Sequence, residues 1–282
     1  MVRANAANFC KFDHMPKQPE SAVSPQILYS CYVSRNREGE QFVADHVFSY
    51  QMAGTLIITD GDKTHTFNEG DFRFIKRNHL VKFIKQPPVG GEFRSVSVHL
   101  DQETLRDFSR EYSYSAEKHT DSNAIIGLQP DLFLKNYMDS LLPYQHTGLP
   151  NNKNLQDLKL KEAIMVLLQA NPELKDILFD FTEPGKIDLE AFMNKNYHFN
   201  VHLKRFAYLT GRSLATFKRD FEKIFNTTPS RWLQQRRLKE AHYLIKQKRR
   251  APSEVYLELG FEDLSHFSFA FKKAYGVAPS RI

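Results

Sequence analysis

The chain has 282 residues, 41% of them apolar, which is enough for two packed domains and too much for wholesale disorder. No helical stretch holds an apolar run long enough to span a bilayer, and the N-terminal MVRANAANFCKFDH lacks the apolar core of a secretory signal. The net charge of +6 is uneven: residues 186–282 carry 19 Lys and Arg against 9 Asp and Glu, a net of +10, while the rest carries 20 against 24, a net of −4.

A polyanion is therefore an expected partner of the C-terminal end only. Two cysteines, Cys10 and Cys31, cannot staple a chain of this size. They read as ordinary small side chains in a reducing cytoplasm, with no membrane partner.

Residues 26–100 read as short strands separated by turns. LIITDGDKTHTF predicts a hairpin, with Leu56, Ile57 and Ile58 before Asp60-Gly61 and renewed alternation through His65 and Phe67. Glu69-Gly70-Asp71 predicts the next turn, followed by Phe72, Phe74 and Ile75, and LVKFI and FRSVSVHL alternate in the same way. Evenly spaced short strands imply a β-sandwich or small barrel.

After Asp101 the pattern becomes helical. One predicted helix carries Leu134, Tyr137, Met138, Leu141 and Leu142; a second carries Leu160, Ala163, Ile164, Leu167 and Leu168 at helical spacing. Pro143 and HTGLPNNKN separate them. Two partners fit such stripes equally well: the sandwich itself, or a second copy of the chain. Thr182-Glu183-Pro184-Gly185 then breaks the pattern where the charge changes sign. The predicted layout is an N-terminal domain over 1–181, a linker over 182–186 and an all-helical domain over 187–282.

The C-terminal segment repeats itself at an offset of 50 positions. Phe217, Phe221, Phe225, Pro229, Ser230 and Arg231 match Phe267, Phe271, Tyr275, Pro279, Ser280 and Arg281. Ser213 and Asp263 match as helix N-caps, and Asn226 and Gly276 match as residues that tolerate the left-handed conformation ending a helix. Each unit also has helix-turn-helix spacing. In the first, Ala207 allows close helix approach, Gly211 supplies positive φ in the turn, and Phe217 seats the second helix. Gly260 and Phe267 do the same in the second unit, across a turn one residue longer and with Tyr256 in place of the small residue.

With Leu214, Phe217, Phe221, Ile224 and Phe225 facing inward, Ala215, Lys218, Arg219 and Glu222 fall on the outer face of the first recognition helix. Lys and Arg there can donate to guanine edges or to phosphates in a major groove. In the second helix Phe267, Phe271 and Tyr275 face inward, leaving Leu264, Ser265, His266, Ser268 and Phe269 outside. His266 fits either a nucleic-acid contact or packing at the helix N-terminus; Phe269 fits thymine methyls or another protein surface. A single helix from Pro229 to about Gln247, with Trp232, Leu233, Leu238, Ala241, Leu244 and Ile245 inward, joins the units. Its length of roughly 28 Å approaches the ~34 Å between successive major grooves on one face of DNA. Arg249 and Arg250 follow it, placed either for phosphates or simply solvated.

The segments LTGRSLATFKRDFEKIF, RWLQQRRLKEAHYLI and LGFEDLSHFSFAFKKAYGVAPSR resemble the AraC/XylS family of bacterial transcription regulators, and TGRSLATFKRDF is similar to the exoenzyme S synthesis regulator subgroup. The resemblance covers residues 187–282. It implies double-stranded DNA as partner, activation through RNA polymerase, and a cupin-like sensor and dimerisation domain in front, with a homodimer in prospect. It maps DNA contacts to Ala215, Lys218 and Arg219, and to Leu264, Ser265, His266, Ser268 and Phe269. Many members carry arginine where Phe269 stands. Regulation follows one of two routes: a small-molecule effector inside a polar sandwich interior, or a regulatory protein acting on a collapsed apolar one.

The alternative class is a cupin-type enzyme, or a ligand-binding protein whose helical domain binds no DNA. A catalytic cupin needs converging metal ligands that include a close HxH pair, whereas His46, His65, His79 and His99 are scattered and no HxH occurs. No cofactor and no enzymatic activity are expected.

Overall fold

The computed structural model describes residues 26–32, 37–61, 63–119, 123–147 and 153–282; Cys10 lies outside them. The chain forms two compact units, the first ending at Thr182 and the second consisting chiefly of Glu183–Ile282.

The first unit opens with eight strands: β1 (Ile27–Tyr32), β2 (Arg37–Val43), β3 (His46–Ala53), β4 (Thr55–Asp60), β5 (Lys63–Phe67), β6 (Phe72–Ile75), β7 (His79–Gln86) and β8 (Phe93–Leu100). The predicted hairpin is β4–β5, paired from Leu56↔Phe67 to Asp60↔Lys63 with Gly61 at φ +57°. Helix α1 (Gln102–Tyr112) follows, capped by the Asp101 carboxylate on the Thr104 N–H. A ninth strand, β9 (Ile125–Leu128), then returns to the sheet beside β6. Nothing in the helical reading of this stretch predicted it. The helices α2 (Leu132–Leu141), α3 (Tyr144–Thr147), α4 (Lys153–Ala170) and α5 (Lys175–Leu178) complete the unit.

The strands form two sheets, in the orders β1-β8-β3-β6-β9 and β2-β7-β4-β5. Two cores result, one on each face of the five-stranded sheet. Between the sheets lie Val47, Ile75, Phe93 and Ile125 from one side and Val43, Leu56, Ile58, Phe67 and Val81 from the other. On the opposite face Phe48, Phe72, Phe74, Val96 and Val98 meet Leu105, Phe108, Leu134, Tyr137, Met138, Leu141, Leu160, Ile164 and Leu167 from the helices. This sheet is covered twice, so β6 is buried at all four positions instead of alternating. The apolar stripes of α2 and α4 are also placed by it: they pack on their own sandwich. What those helices leave exposed is a different set, Leu132 and Phe133 on α2 and Leu158 and Met165 on α4.

The second unit is helical: α6 (Leu189–Asn196), α7 (Leu203–Leu209), α8 (Leu214–Phe225), α9 (Pro229–Lys246), α10 (Pro252–Glu258) and α11 (Leu264–Tyr275). The sequence reading had not singled out α6. No helix among the described residues is long and apolar enough to cross a membrane.

Candidate nucleic-acid interface

The two halves of the repeat fold alike. The Ser213 hydroxyl accepts the Thr216 N–H at 3.2 Å, and the Asp263 carboxylate accepts the His266 N–H at 2.6 Å, so α8 and α11 both begin on a side-chain cap. They end on left-handed residues, Asn226 at φ +52° and Gly276 at φ +79°. Phe217 and Phe221 of α8, like Phe267 and Phe271 of α11, are fully buried. Phe221 and Phe225 pack on Trp232 of α9, while Tyr275 stacks on His242 of the same helix at 4.5 Å. One long helix thus supports both units, and its 18 residues span about 27 Å.

The turns explain the glycines. Gly211 has φ +64°, and a β-carbon there would lie 2.3 Å from the Gly185 carbonyl carbon. Gly260 has φ +79°, and its β-carbon would lie 2.6 Å from the His198 carbonyl oxygen. Neither position accepts a side chain, on grounds of conformation and of space. Around the first turn Arg212 donates to the Ile187 and Thr210 carbonyls and to Asp220 at 3.2 Å. The hydrogen bond from Arg212 holds the Asp220 carboxyl below its usual range.

On the outer face of α8, Ala215, Lys218, Arg219 and Glu222 are all exposed. They share one face because they recur every three or four residues. Arg219 is 65% exposed, with only a surface approach of 3.6 Å to Asp220. On α11, Leu264, Ser265 and His266 are exposed and Ser268 is half-buried. Phe269 is 70% exposed, an apolar ring presented outward from the second head. One expectation for α8 needs correction: Ile224 is 41% exposed and does not belong to the buried stripe. The facing helix α9 is met by Phe221 and Phe225, which leaves Ile224 beyond the contact. Of the two arginines after α9, Arg250 pairs with Glu258 at 2.5 Å, whereas Arg249 is exposed in a left-handed turn at φ +54°.

Sequence reading missed Arg237. From α9 its guanidinium donates to three backbone carbonyls: Tyr197 at 2.7 Å, Phe199 at 2.8 Å and Gly260 at 2.9 Å. It ties the segment before the first helix-turn-helix to the turn of the second. A signal was present, since Arg237 stands in register with Leu233, Ala241 and Ile245 on the buried stripe of α9. A lone charged residue at a buried helical position calls for such acceptors. Among the described residues no group of three or more His, Cys, Asp or Glu side chains is placed to hold a metal.

Residues 46–177 match the family described as ExsA N-terminal regulatory domain, and residues 206–282 match that described as Helix-turn-helix domain. The HTH-type transcriptional regulator ExsA of Pseudomonas aeruginosa is 25% identical over 239 residues, covering 82% of this chain and 83% of its own. The thermoregulatory protein LcrF of Yersinia pestis is 23% identical over 260 residues, covering 88% and 90%. The virulence regulon transcriptional activator VirF of Yersinia enterocolitica is 23% identical over 241 residues, covering 82% and 86%. A solved structure of ToxT from Vibrio cholerae aligns over 91% of this chain and 97% of that one, at 13% identity and a TM-score of 0.40.

Proposed function

Because the chain belongs to the AraC/XylS family of transcription regulators, with a regulatory half followed by a helix-turn-helix half, we propose that it seats α8 and α11 in adjacent major grooves of its target and activates transcription in the cytoplasm through RNA polymerase. The observation that carries this reading is the duplication. Two helices with matching caps and matching buried phenylalanines each turn an outer face away from a shared scaffold, in a segment with a net charge of +10. The contacts proposed are Ala215, Lys218 and Arg219 in the first head, and Leu264, Ser265, His266, Ser268 and Phe269 in the second. The heads differ in chemistry, cationic against apolar and hydroxylic, so one chain reads an asymmetric site.

Phosphate neutralisation predicts that the logarithm of the DNA association constant falls linearly with the logarithm of salt concentration, by roughly 0.9 for each phosphate contacted. Fluorescence anisotropy with labelled duplexes measures this slope. Residues 186–282 alone are expected to fold and keep most of it, since the buried phenylalanines of both heads belong to this segment. A folded protein with no affinity for any duplex at low salt would sink the reading.

The exposed Leu132, Phe133, Leu158 and Met165 support a further element, self-association through the outer face of the N-terminal helical layer. Sedimentation of the full-length protein and of the 186–282 fragment is expected to give a dimer and a monomer respectively. A full-length protein still monomeric at tens of micromolar removes the dimer from the proposal.

A further inference from the structure

Positive charge also gathers in the C-terminal unit at a distance from the residues proposed to read DNA. His242 and Lys246 on α9, Arg249 in the turn after it, Tyr275 at the end of α11, and Val277 and Ile282 beyond it line an open cleft of about 390 Å³. That volume is in the range of small-ligand sites, which combine an apolar lining with a few polar groups. From Ser265 to Tyr275 helix α11 rises roughly 15 Å, at about 1.5 Å per residue. The cleft therefore lies at the far end of α11 from its base-reading residues, and an occupant need not compete with them.

Two of the lining residues are cations without an anion. Among the described residues Lys246 and Arg249 have no ion pair or side-chain hydrogen bond, whereas the adjacent Arg250 takes Glu258 at 2.5 Å and approaches Glu254 at 4.0 Å. A lysine in the last turn of a helix is ordinarily accounted for by the macrodipole, and Lys246 alone would ask for nothing more. Arg249 does ask for more. Its φ is +54°, in the left-handed region that helix ends usually give to glycine or asparagine, as Gly276 and Asn226 do after α11 and α8. The Arg250 N–H closes the turn on the Leu244 carbonyl at 3.2 Å. A long cation in that conformation carries backbone strain, and its side chain lines the same cleft as Lys246.

The rest of the lining is aromatic and apolar. Tyr275 stacks on His242 with ring centres 4.5 Å apart, and burial raises its pKa, so its hydroxyl stays a donor. Tyr275 is nevertheless 37% exposed and Val277 43%, which leaves apolar surface facing the cleft. Two positive charges match the dianion of a phosphate monoester; a monocarboxylate would leave one of them unmatched. The guanidinium offers paired N–H donors to phosphate oxygens, and the ammonium adds a point charge. The tyrosine ring, Val277 and Ile282 offer a surface for a flat organic group on that phosphate.

We propose that this cleft is a ligand site for a small phosphate monoester with a flat organic group, its phosphate held by Lys246 and Arg249 and its body against Tyr275, Val277 and Ile282. Because the lining comes from α9, the turn after it and the end of α11, an occupant ties the second head to the long helix and adjusts its set in DNA. That consequence rests on α11 being a reading helix; the binding itself does not.

Thermal unfolding of the full-length protein in phenyl phosphate and in naphthyl phosphate, against sodium sulfate at equal ionic strength, tests the site. Sulfate controls for the general stabilisation that excluded dianions give any folded protein. The monoesters raise Tm saturably above the sulfate level, since a ligand that binds only the folded state stabilises it in proportion to its occupancy. Arg249→Gly weakens the apparent affinity by about tenfold or more. Without ligand it melts no lower than the wild type, because glycine accepts a left-handed φ without strain. Lys246→Gln, an exposed exchange between two good helix formers, weakens the response in the same direction. Melting that follows sulfate alone overturns the proposal, as does a response of wild-type strength in either variant. If Arg249→Gly fails to fold, Lys246→Gln decides the matter. Melting that ignores the monoesters while Arg249→Gly lowers the salt slope of DNA binding by about one assigns the cation to the DNA backbone and removes the ligand site. DNA affinity measured in saturating phenyl phosphate separates the two levels: a Tm response that leaves DNA binding unchanged upholds the site and removes only its influence on α11.

Discussion

Arg237→Ala is expected to destabilise the C-terminal unit by about 3–5 kcal/mol, the largest single effect foreseen for any charged residue of that unit. Its three hydrogen bonds run from a charged donor to the carbonyls of Tyr197, Phe199 and Gly260. Each such bond is worth roughly 1.5–3 kcal/mol, and the sum is reduced because water can enter the vacated space. The neighbouring Arg236 provides the control. It reaches Glu240 one turn away at 3.1 Å and lies over the Tyr197 ring at 4.4 Å, both partly exposed contacts. Arg236→Ala should cost about 1 kcal/mol. Denaturant titration of both variants measures the difference. Equal, small losses would mean that the three carbonyls are satisfied without Arg237. Arg237→Lys should recover only part of the loss, since an ammonium cannot reproduce a planar fork directed at three acceptors.

The double substitution Lys218→Ala, Arg219→Ala should abolish discrimination between the target and unrelated duplexes at the positions read by the first head. A bidentate base contact is worth about 1–3 kcal/mol, so losing two weakens specific binding by roughly 2–6 kcal/mol while the fold persists. Both side chains are exposed, and Arg219 has only the 3.6 Å surface approach to Asp220 to give up, so stability should change little. The measurement is anisotropy against the target and against scrambled duplexes at several salt concentrations. A loss that is uniform across sequences, with a shallower salt slope, reassigns both residues to phosphates. Phe221→Ala is the opposite experiment: it leaves the outer face intact and removes a fully buried ring that packs on Trp232, at about 3–5 kcal/mol of stability.

Much of the C-terminal unit was legible because its information is local. Caps at Ser213 and Asp263, terminators at Asn226 and Gly276, and phenylalanines at helical spacing act within one or two turns of their own positions. The repeat doubled each signal. The strands from β4 to β8 were legible for a similar reason, since alternation and turn residues act within a hairpin. Legibility failed where a residue answers to a distant neighbour. The β9 segment, Ile125–Leu128, is too short to announce itself, and it is a strand only because β6 offers an unpaired edge.

The amino-acid sequence by itself determined the change from strands to helices, the two matched helix-turn-helix units and the concentration of positive charge around them, because propensity, capping and periodicity are properties of neighbouring residues. Which surface covers which was decided by the tertiary structure. The stripes of α2 and α4 could serve a sandwich or a second copy, and only the assembled unit shows them spent on Phe48, Phe74 and Val98. Alternation placed Arg73 on a face of β6 without saying what lay beyond it. The second sheet closes over that face and leaves Arg73 only 3% exposed, with its Nε unpartnered. Burial depends on what arrives from elsewhere in the chain, and the acceptors that Arg73 and Arg237 find follow from it.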